Sequence, residues 1–392
     1  MRIIKILRQV SLVVSITLIA NMTYAYSLNG VQSLIPSPPQ VSSKAYILLE
    51  ANSNQVLAEK DADKKLPPAS LTKVMAIYVV SEALKNGQIS LKDKVLVSKK
   101  AWKAEGSRMF LNQGSSIELE KLINGVVIAS GNDATIALAE HVAGSEESFA
   151  EMMNLTAEKL GMKNSHFVNA TGLPSPEHYS TAKDLAILAR AVINDFPEEY
   201  HIYKQKWIEY NHIKQPNRNR LLWHNNKVDG MKTGHTDEAG FCLIASAQDE
   251  KMRLINVQLG APSDSARTNS TQAMLTWGMR FYETKLIEST NHELASIRTW
   301  GGKKQYTPVG IKEDLYVTLP RGSAAKTNIV KNIADSISAP LESQQELGEI
   351  IVTLGDNTIA STQIYALEAN ERGSIWQTTT DSVSWLWHKI VS

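Results

Sequence analysis

Apolar and polar positions repeat in two different ways along the chain, and this difference divides it into parts. Up to about residue 286, long segments carry apolar residues at helical spacing or run almost wholly apolar, like buried strands. The pattern predicts helices over residues 70–84, 118–130, 134–142, 148–160, 182–193 and 270–283, and strands over 45–50, 55–59, 241–247 and 254–259. We therefore expect an α/β (α+β) domain over residues 44–286, in which a helical block packs on an antiparallel sheet with strands from both ends of the segment.

The rest of the chain contains short segments in which apolar and polar residues alternate. They cover residues 292–298, 305–310, 315–319, 350–354 and 363–366, and turns such as Gly355-Asp356-Asn357 separate them. Several short alternating strands are typical of an all-β fold. The pattern therefore predicts a small all-β domain over residues 287–378.

The last segment, residues 379–392, carries an apolar stripe at helical spacing. Its positions follow the i, i+3, i+4, i+7, i+8 pattern of one helix face: Val383, Leu386, Trp387, Ile390 and Val391. The segment is too short to span a bilayer, which takes about 20 residues, but it could lie in the interface as an amphipathic membrane-associating helix. The alternative is a terminal helix that packs on its own β domain.

The first 25 residues have the features of a signal peptide. Arg2, Lys5 and Arg8 precede an apolar stretch over residues 10–20, and Thr23-Tyr24-Ala25 offers the small residues that a signal peptidase recognises. We predict a signal peptide over residues 1–25, followed by a loose leader rich in Ser and Pro over residues 26–43. The alternative is an uncleaved N-terminal anchor. We expect an exported protein.

The composition narrows the classes of function. Because 41 basic and 40 acidic residues leave a formal net charge of +1, the chain lacks the basic surplus expected of a nucleic-acid binder. Its 43% content of hydrophobic residues excludes a disordered chain. The single cysteine, Cys242, excludes an intrachain disulfide and a cysteine-rich metal site, and the nine histidines form no His-Glu-x-x-His pair.

A first candidate for chemistry is Ser70-Leu71-Thr72-Lys73, at the start of a predicted helix. The three-residue spacing places Ser70 and Lys73 on one helix face. A serine hydroxyl becomes a nucleophile when a base removes its proton, and a lysine of lowered pKa can be that base. The helix N-terminus would also direct backbone N–H groups at developing negative charge. Taken alone, the motif is more simply explained by an N-cap serine beside a solvated lysine.

Two further motifs could complete such a site. Ser130-Gly131-Asn132 lies between two predicted helices, where the serine could relay a proton and the asparagine amide could hold a peptide. Lys232-Thr233-Gly234 follows an Asp229-Gly230 turn on a predicted edge strand, and its glycine would let a substrate backbone pair with the strand. Each motif also has a plainer interpretation, as a helix–helix turn and as a surface turn with a solvated lysine.

Together and in this order, the three motifs resemble those of the penicillin-recognising serine acyl-transferases. Within that group the chain is similar to the low-molecular-mass penicillin-binding proteins, which are D-alanyl-D-alanine carboxypeptidases. The resemblance covers nearly all of the chain after residue 25 and includes LPPASLTK at 66–73, ASGNDA at 129–134, NATGL at 169–173, VDGMKTGHT at 228–236 and LPRG at 319–322. It implies a β-lactamase/transpeptidase-like first domain. The stretch between Lys73 and Ser130 is a few residues shorter than the family pattern.

The resemblance implies a role for each matched residue. Ser70 would attack the carbonyl between the two terminal D-alanines of a peptidoglycan stem, with Lys73 as the base. Ser130 and Lys232 would relay a proton to the departing amine. The resemblance implies that Asn132 holds the peptide and that the backbone N–H groups of Ser70 and His235 bind the oxyanion. Thr233, of the Lys232-Thr233-Gly234 motif, would bind the terminal carboxylate with support from Arg267. Arg218 stands where the family also has an arginine.

The resemblance further implies no metal and no organic cofactor. It implies β-lactams and the membrane surface as partners, no nucleic acid, and a place in the bacterial periplasm, at the outer face of the cytoplasmic membrane. Three alternatives stay open: a β-lactamase, although no Glu-x-x-Leu-Asn run is found, a peptidoglycan DD-endopeptidase, and a non-catalytic wall-binding or antibiotic-sensing protein. Release of free D-alanine from a pentapeptide, rather than cleavage of cross-linked dimers, would separate the carboxypeptidase from the endopeptidase.

Overall fold

The structure, a computed structural model, describes residues 35–290 and 292–374. The predicted signal peptide, the first half of the predicted leader and the predicted terminal helix lie outside these residues. The helices are α1 Thr72–Lys85, α2 Lys99–Trp102, α3 Leu119–Ile128, α4 Asn132–Ala143, α5 Glu146–Leu160, α6 Ala182–Asp195, α7 Pro197–Tyr200, α8 Leu221–His224 and α9 Asp264–Phe281. Within the described ranges, none of these helices has the length and apolarity needed to cross a membrane.

Over residues 35–290 and 292–374, the strands form two large sheets and three small pairs. They are β1 Ala45–Glu50, β2 Gln55–Lys60, β3 Lys94–Leu96, β4 Ser116–Glu118, β5 Trp207–Tyr210, β6 Ile213–Pro216, β7 Val228–Thr236, β8 Gly240–Asp249, β9 Met252–Ala261, β10 Tyr282–Glu288, β11 Ala295–Trp300, β12 Tyr306–Gly310, β13 Leu315–Pro320, β14 Thr327–Ile333, β15 Ser336–Ser338, β16 Glu346–Leu354 and β17 Asn357–Ala366.

The central sheet of the first part has the strand order β2-β1-β9-β8-β7, and all its neighbours are antiparallel. Both of its faces are covered, because Ile47 and Leu49 of β1 pack with the helical block while Leu48 packs with Met274 and Leu275 of α9. A strand that is buried on both faces needs apolar residues at successive positions, which explains the unbroken apolar run of β1. Strand β7 forms one edge of this sheet.

Helix α1 is the centre of the helical block. Nearly all of its residues are buried, including Met75, Val79 and Val80, and it contacts α3, α4, α5 and α6. Local signals set the ends of the surrounding helices: the Thr181 hydroxyl accepts a hydrogen bond from the Asp184 N–H at the start of α6, and Gly161 ends α5 in the left-handed conformation. Helix α1 itself has no such side-chain cap, so tertiary packing fixes the position of its first turn.

The second part of the chain is all-β. Strand β10 pairs with β13, and a six-stranded sheet follows the order β14-β16-β17-β12-β11-β15. Its core includes Ile297, Val309, Val317, Ile350 and Ile364. The predicted fold class, an α/β domain with an antiparallel sheet followed by a small all-β domain, is confirmed. Strand β10 runs across residue 286, and the exact boundary between the domains stays a prediction.

Several local predictions differ from the structure. Asp229 and Gly230 form no turn; they lie within β7, where a bulge separates the pairing of Val228 from that of Gly230. Helix α9 begins at Asp264, six residues before the predicted start, because the Ser263 hydroxyl caps it by accepting from the Ala266 N–H. The bulge explains the first error, since a Gly in a strand interior gives the same signal as a Gly in a turn.

Candidate active site

The candidate nucleophile lies in a tight turn that leads into α1. Ala69–Leu71 form a 3₁₀ turn, and α1 begins at Thr72, so Lys73 stands in the first turn of the helix. The Lys73 Nζ atom lies 3.0 Å from Ser70 Oγ and donates a second hydrogen bond of 2.6 Å to the carbonyl oxygen of Thr171. The predicted pair of serine and lysine is therefore in direct contact.

The environment of Lys73 favours the neutral amine. Its side chain is only 1% exposed. Burial, together with the positive charge of Arg218, lowers the pKa of Lys73 to about 7, although the negative charges of Glu146 and Asp133 act in the opposite direction. At neutral pH a substantial fraction of this amine is unprotonated, so it can accept a proton from the Ser70 hydroxyl.

The segment Ser130-Gly131-Asn132 joins α3 to α4. Ser130 has a left-handed backbone conformation, with φ of 59°, and its side chain is buried. The Asn132 amide donates to the Glu105 carbonyl oxygen at 2.6 Å. Asp133, which follows in α4, accepts from the backbone N–H groups of Met109 and Leu111 and so fixes the facing loop. The three-residue turn is thus held on both sides.

Lys232 of β7 reaches across to this turn. Its Nζ atom donates to Ser130 Oγ at 2.9 Å and to the Thr233 carbonyl oxygen at 2.9 Å. Burial lowers the pKa of Lys232 well below its ordinary value, and the neighbouring charges of Lys73, Arg218 and Arg267 add to that shift. The three motifs therefore meet in one place, with each lysine contacting a serine.

Strand β7 passes directly beside the nucleophile turn. At Gly234 an added Cβ would come within 3.1 Å of the Ser70 backbone nitrogen and 3.0 Å of the Pro68 carbonyl oxygen. A side chain at this position would push the strand away from Ser70, so glycine allows the close approach. Thr233 is buried next to it, whereas His235 is exposed and packs on Phe241 at 4.0 Å between ring centroids.

The two predicted arginines occupy different positions. Arg267 of α9 is buried, donates to the carbonyl oxygens of Gly234 at 2.8 Å and Cys242 at 3.1 Å, and forms an ion pair with Asp264. It thereby ties the edge strand β7 to its neighbour β8. Arg218 is exposed and lies between two buried asparagines whose side-chain amides donate to backbone carbonyl oxygens of neighbouring segments. Its charge acts on both lysines of the site.

Comparison with known proteins decides the family. The D-alanyl-D-alanine carboxypeptidase family matches residues 32–263, and the C-terminal domain of penicillin-binding protein 5 matches residues 282–372. The chain belongs to the D-alanyl-D-alanine carboxypeptidase family. The predicted family and enzyme class are confirmed, and this carboxypeptidase is of the serine type.

Individual relatives extend over most of this carboxypeptidase. It is 44% identical to the D-alanyl-D-alanine carboxypeptidase DacC of Escherichia coli (strain K12) over 359 residues, which cover 90% of each chain. The solved structure of penicillin binding protein 5 from Haemophilus influenzae has a TM-score of 0.81 at 38% identity and covers 86% of this chain and 100% of that chain. Penicillin-binding protein D2 from Listeria monocytogenes, in its ampicillin-bound form, has a TM-score of 0.58 at 29% identity and covers 62% of this chain and all of its own.

Sequence reasoning missed two parts of this carboxypeptidase site. The Thr171 carbonyl oxygen accepts from Lys73, and Glu146 supports that loop because its Oε1 atom accepts from the Ala170 N–H at 3.1 Å. A backbone acceptor leaves no signal in residue types. The NATGL run at residues 169–173 is part of the family resemblance, and Asn169 shapes it by accepting from the Gly172 N–H at 2.7 Å. Among the described residues, no group of three or more His, Cys, Asp or Glu is placed to hold a metal ion.

Proposed function

We propose that Ser70 is the nucleophile with which this carboxypeptidase removes the terminal D-alanine of a peptidoglycan stem. The 3.0 Å contact between Lys73 Nζ and Ser70 Oγ carries this proposal, because it joins a hydroxyl to a buried amine whose pKa is lowered to about 7. Neutral Lys73 takes the hydroxyl proton as Oγ attacks the carbonyl carbon of the penultimate D-alanine. The result is a tetrahedral intermediate bonded to Ser70.

Collapse of that intermediate needs a proton on the departing amine. Ser130 Oγ supplies it, and Lys232 Nζ, which is 2.9 Å away, replaces the proton on the serine. The C–N bond breaks, free D-alanine leaves, and the shortened stem stays on Ser70 as an ester. Lys73 passes the proton that it took to Lys232, so both lysines return to their starting states. Water then attacks the ester carbonyl as Lys73 takes one of its protons, the C–O bond to Ser70 breaks, and Lys73 gives that proton to Oγ, which frees the shortened stem and regenerates Ser70.

The oxyanion and the substrate ends need partners of their own. The backbone N–H groups of Ser70 and His235 donate to the oxyanion, since Gly234 brings β7 to within van der Waals distance of the Ser70 backbone. The Thr233 hydroxyl binds the terminal carboxylate with support from Arg267, and the Asn132 amide holds the peptide. The substrate backbone pairs with the free edge of β7.

The same chemistry accounts for β-lactam binding. A β-lactam presents a strained amide where the stem presents a peptide, so Ser70 Oγ attacks it and keeps the opened ring as an ester. The relative from Listeria monocytogenes in its ampicillin-bound form is a supporting case for this proposal.

The test compares three forms of the full chain with a pentapeptide ending in D-Ala-D-Ala and with penicillin. The wild-type chain should release D-alanine and gain the mass of penicillin on the peptide that contains Ser70, whereas Ser70→Ala should do neither. Ser81→Ala, which removes another buried hydroxyl of α1, is the matched control and should behave as wild type. Acylation at another residue, or surviving turnover in Ser70→Ala, would refute the assignment.

We further propose that the enzyme is exported and held at the outer face of the cytoplasmic membrane by residues 379–392. Five apolar residues on one helix face suit interfacial binding, and a single cation, Lys389, implies that this binding depends little on salt. Deletion of 379–392 should move the protein to the soluble fraction while its activity on soluble peptide is kept. Retention of the truncated form on membranes would point to the N-terminus as the anchor, and its unfolding would show that the segment packs on the β domain.

A further inference from the structure

A loop outside the three motifs packs directly on the nucleophile turn. It includes residues 168–179, between α5 and α6, and its closest approach is at Gly172. An added Cβ there would lie 1.9 Å from the Ala69 carbonyl oxygen and 2.8 Å from Thr72 Oγ1. The same loop brings His178, which is only 3% exposed, against α1. No step of the proposed mechanism uses this histidine.

His178 begins a chain of hydrogen bonds that ends at the nucleophile. The Val168 N–H lies 3.1 Å from His178 Nδ1, and a backbone N–H can only donate, so Nδ1 is the unprotonated nitrogen of the ring. The proton is therefore on Nε2, which donates to Thr72 Oγ1 at 2.8 Å. The Thr72 hydroxyl in turn donates to the Ala69 carbonyl oxygen at 2.8 Å. The donor and the acceptor of each hydrogen bond in this chain are therefore assigned.

This chain of hydrogen bonds, from His178 through Thr72 to the Ala69 carbonyl oxygen, is called the relay below. It holds the carbonyl end of the Ala69–Ser70 peptide group, whose N–H end belongs to the proposed nucleophile. The Ala69 carbonyl and the Ser70 N–H belong to the same peptide group, which is planar, so fixing the oxygen fixes the direction of the N–H. Ala69 needs such support, because its φ of 48° is a left-handed conformation that a non-glycine residue rarely adopts.

We propose that His178 is a positioning residue which, through Thr72 and the Ala69–Ser70 peptide group, aims the Ser70 N–H at the substrate's carbonyl oxygen. This inference rests on the proposed role of Ser70. Its chemistry agrees with the state of the ring, since burial lowers the pKa of His178 to about 4, with smaller contributions from His166 and Lys73, and a neutral ring can keep Nδ1 as an acceptor. An oxyanion donor acts in the transition state, so the relay affects the acylation rate and leaves ground-state binding unchanged.

Two variants of His178 separate its two hydrogen bonds. His178→Gln places an amide nitrogen near the position of Nε2 and keeps the donor to Thr72, whereas His178→Asn places an oxygen near Nδ1 and keeps only the acceptor for Val168. At Thr72, Thr72→Val has the same shape without the hydroxyl, and Thr72→Ser restores it. The full chain of each variant is reacted with penicillin, and the acylation rate constant, the non-covalent dissociation constant and the Tm are measured.

We expect His178→Asn and Thr72→Val to acylate about 10- to 100-fold more slowly at an unchanged dissociation constant, less than the ~10²- to 10³-fold loss on removing an oxyanion donor outright. His178→Gln and Thr72→Ser should recover most of the rate. The double variant His178→Asn/Thr72→Val should be no slower than Thr72→Val alone, because both changes break one relay.

The proposal is overturned if the wild-type chain is active and the His178→Asn and Thr72→Val variants are acylated at the same rate as the wild type. It is also overturned if the rates of all four variants follow their Tm values, or if the two losses add in the double variant, because His178 would then serve packing alone. A wild-type chain that is not acylated at Ser70 would refute the proposed function itself, and this inference with it.

Discussion

In the proposed mechanism, Lys73 is the side chain whose protonation controls the reaction. A base must be unprotonated to act, and burial together with the Arg218 charge sets the pKa of Lys73 to about 7. We therefore expect kcat/KM for D-Ala-D-Ala peptides to fall about tenfold per pH unit below that value and to level off above it. The measurement is kcat/KM for a pentapeptide between pH 5 and 9.

Arg218→Met tests the electrostatic part of this account. Removal of a positive charge makes the protonated lysine more favourable, so the pKa of Lys73 should rise and the acid limb of the profile should move to higher pH. Arg220→Met, which removes a nearby arginine paired with Asp264, is the control and should leave the limb in place. An acid limb that does not move in Arg218→Met would mean that burial alone sets this pKa.

Arg267 raises a different question, because its guanidinium already binds two backbone carbonyls of β7 and β8. If it also supports a substrate carboxylate, Arg267→Ala should lower kcat/KM about 10- to 150-fold, the equivalent of ~1.5–3 kcal/mol for a hydrogen bond to a charged group. For a substrate whose terminal carboxylate is replaced by an amide, Arg267→Ala should lower kcat/KM much less. Equal losses on both substrates would assign Arg267 to holding the strands only.

The contact between the loop over residues 168–179 and the nucleophile turn can be tested at Gly172. This glycine has a φ of 82°, and there is no room for a Cβ atom between it and the Ala69 carbonyl oxygen. Gly161 has a similar φ of 79° and open space around it, so the two glycines separate backbone conformation from steric contact. Gly161→Ala should cost ~1–2 kcal/mol of unfolding free energy and keep activity. Gly172→Ala should cost more and lower penicillin acylation at least about tenfold, because the nucleophile turn must move.

The contrast is checked by urea unfolding and acylation kinetics on both variants. Equal stability and equal acylation rates in Gly161→Ala and Gly172→Ala would show that the loop can retreat from the turn at no cost. That result would also weaken the relay inferred for His178.

The sequence predicts an element well when the element's own residues carry the signal, and poorly when the element depends on contacts with distant residues. Helices α3 and α6 and strands β8 and β9 carry their own apolar pattern and lie close to their predicted positions, and so do the three motifs. The short strands β3 to β6 and the edge strand β14 are largely exposed or very short, so they carry no such pattern. The Thr171 carbonyl oxygen and the relay from His178 depend on tertiary contacts across about 100 residues, and no spacing in the chain encodes them.

The two folded parts of the molecule meet at a buried carboxylate. Glu50, at the end of β1, is fully buried, and its Oε1 atom accepts from the Arg253 N–H while Oε2 accepts from the N–H and hydroxyl of Ser53. The Thr318 hydroxyl of β13 lies 2.6 Å from Ser53 Oγ and 3.3 Å from Glu50 Oε2. One polar cluster therefore joins the central sheet to the all-β part.

Glu50→Ala should destabilise the whole molecule without changing its chemistry. The change leaves buried donors unpaired, for which we expect a loss of about 2–4 kcal/mol of unfolding free energy, and Thr318→Val, which removes one hydroxyl, should cost ~1–2 kcal/mol. Because the cluster contains none of the proposed catalytic groups, kcat/KM on a soluble pentapeptide should stay within about twofold of wild type for both variants. The exposed Glu59 of β2 is the matched control, and Glu59→Ala should leave stability within ~0.5 kcal/mol.

Calorimetry tests whether the catalytic part and the all-β part unfold together. If the Glu50 cluster couples them, a single cooperative transition in the wild type should broaden or divide in Glu50→Ala, because the all-β part can then unfold separately from the catalytic part. A transition that keeps its shape and only moves to lower temperature would mean that the remaining contacts couple the two parts. In that case Glu50 would stabilise only the end of β1 and its turn, and the loss in Thr318→Val should be close to zero.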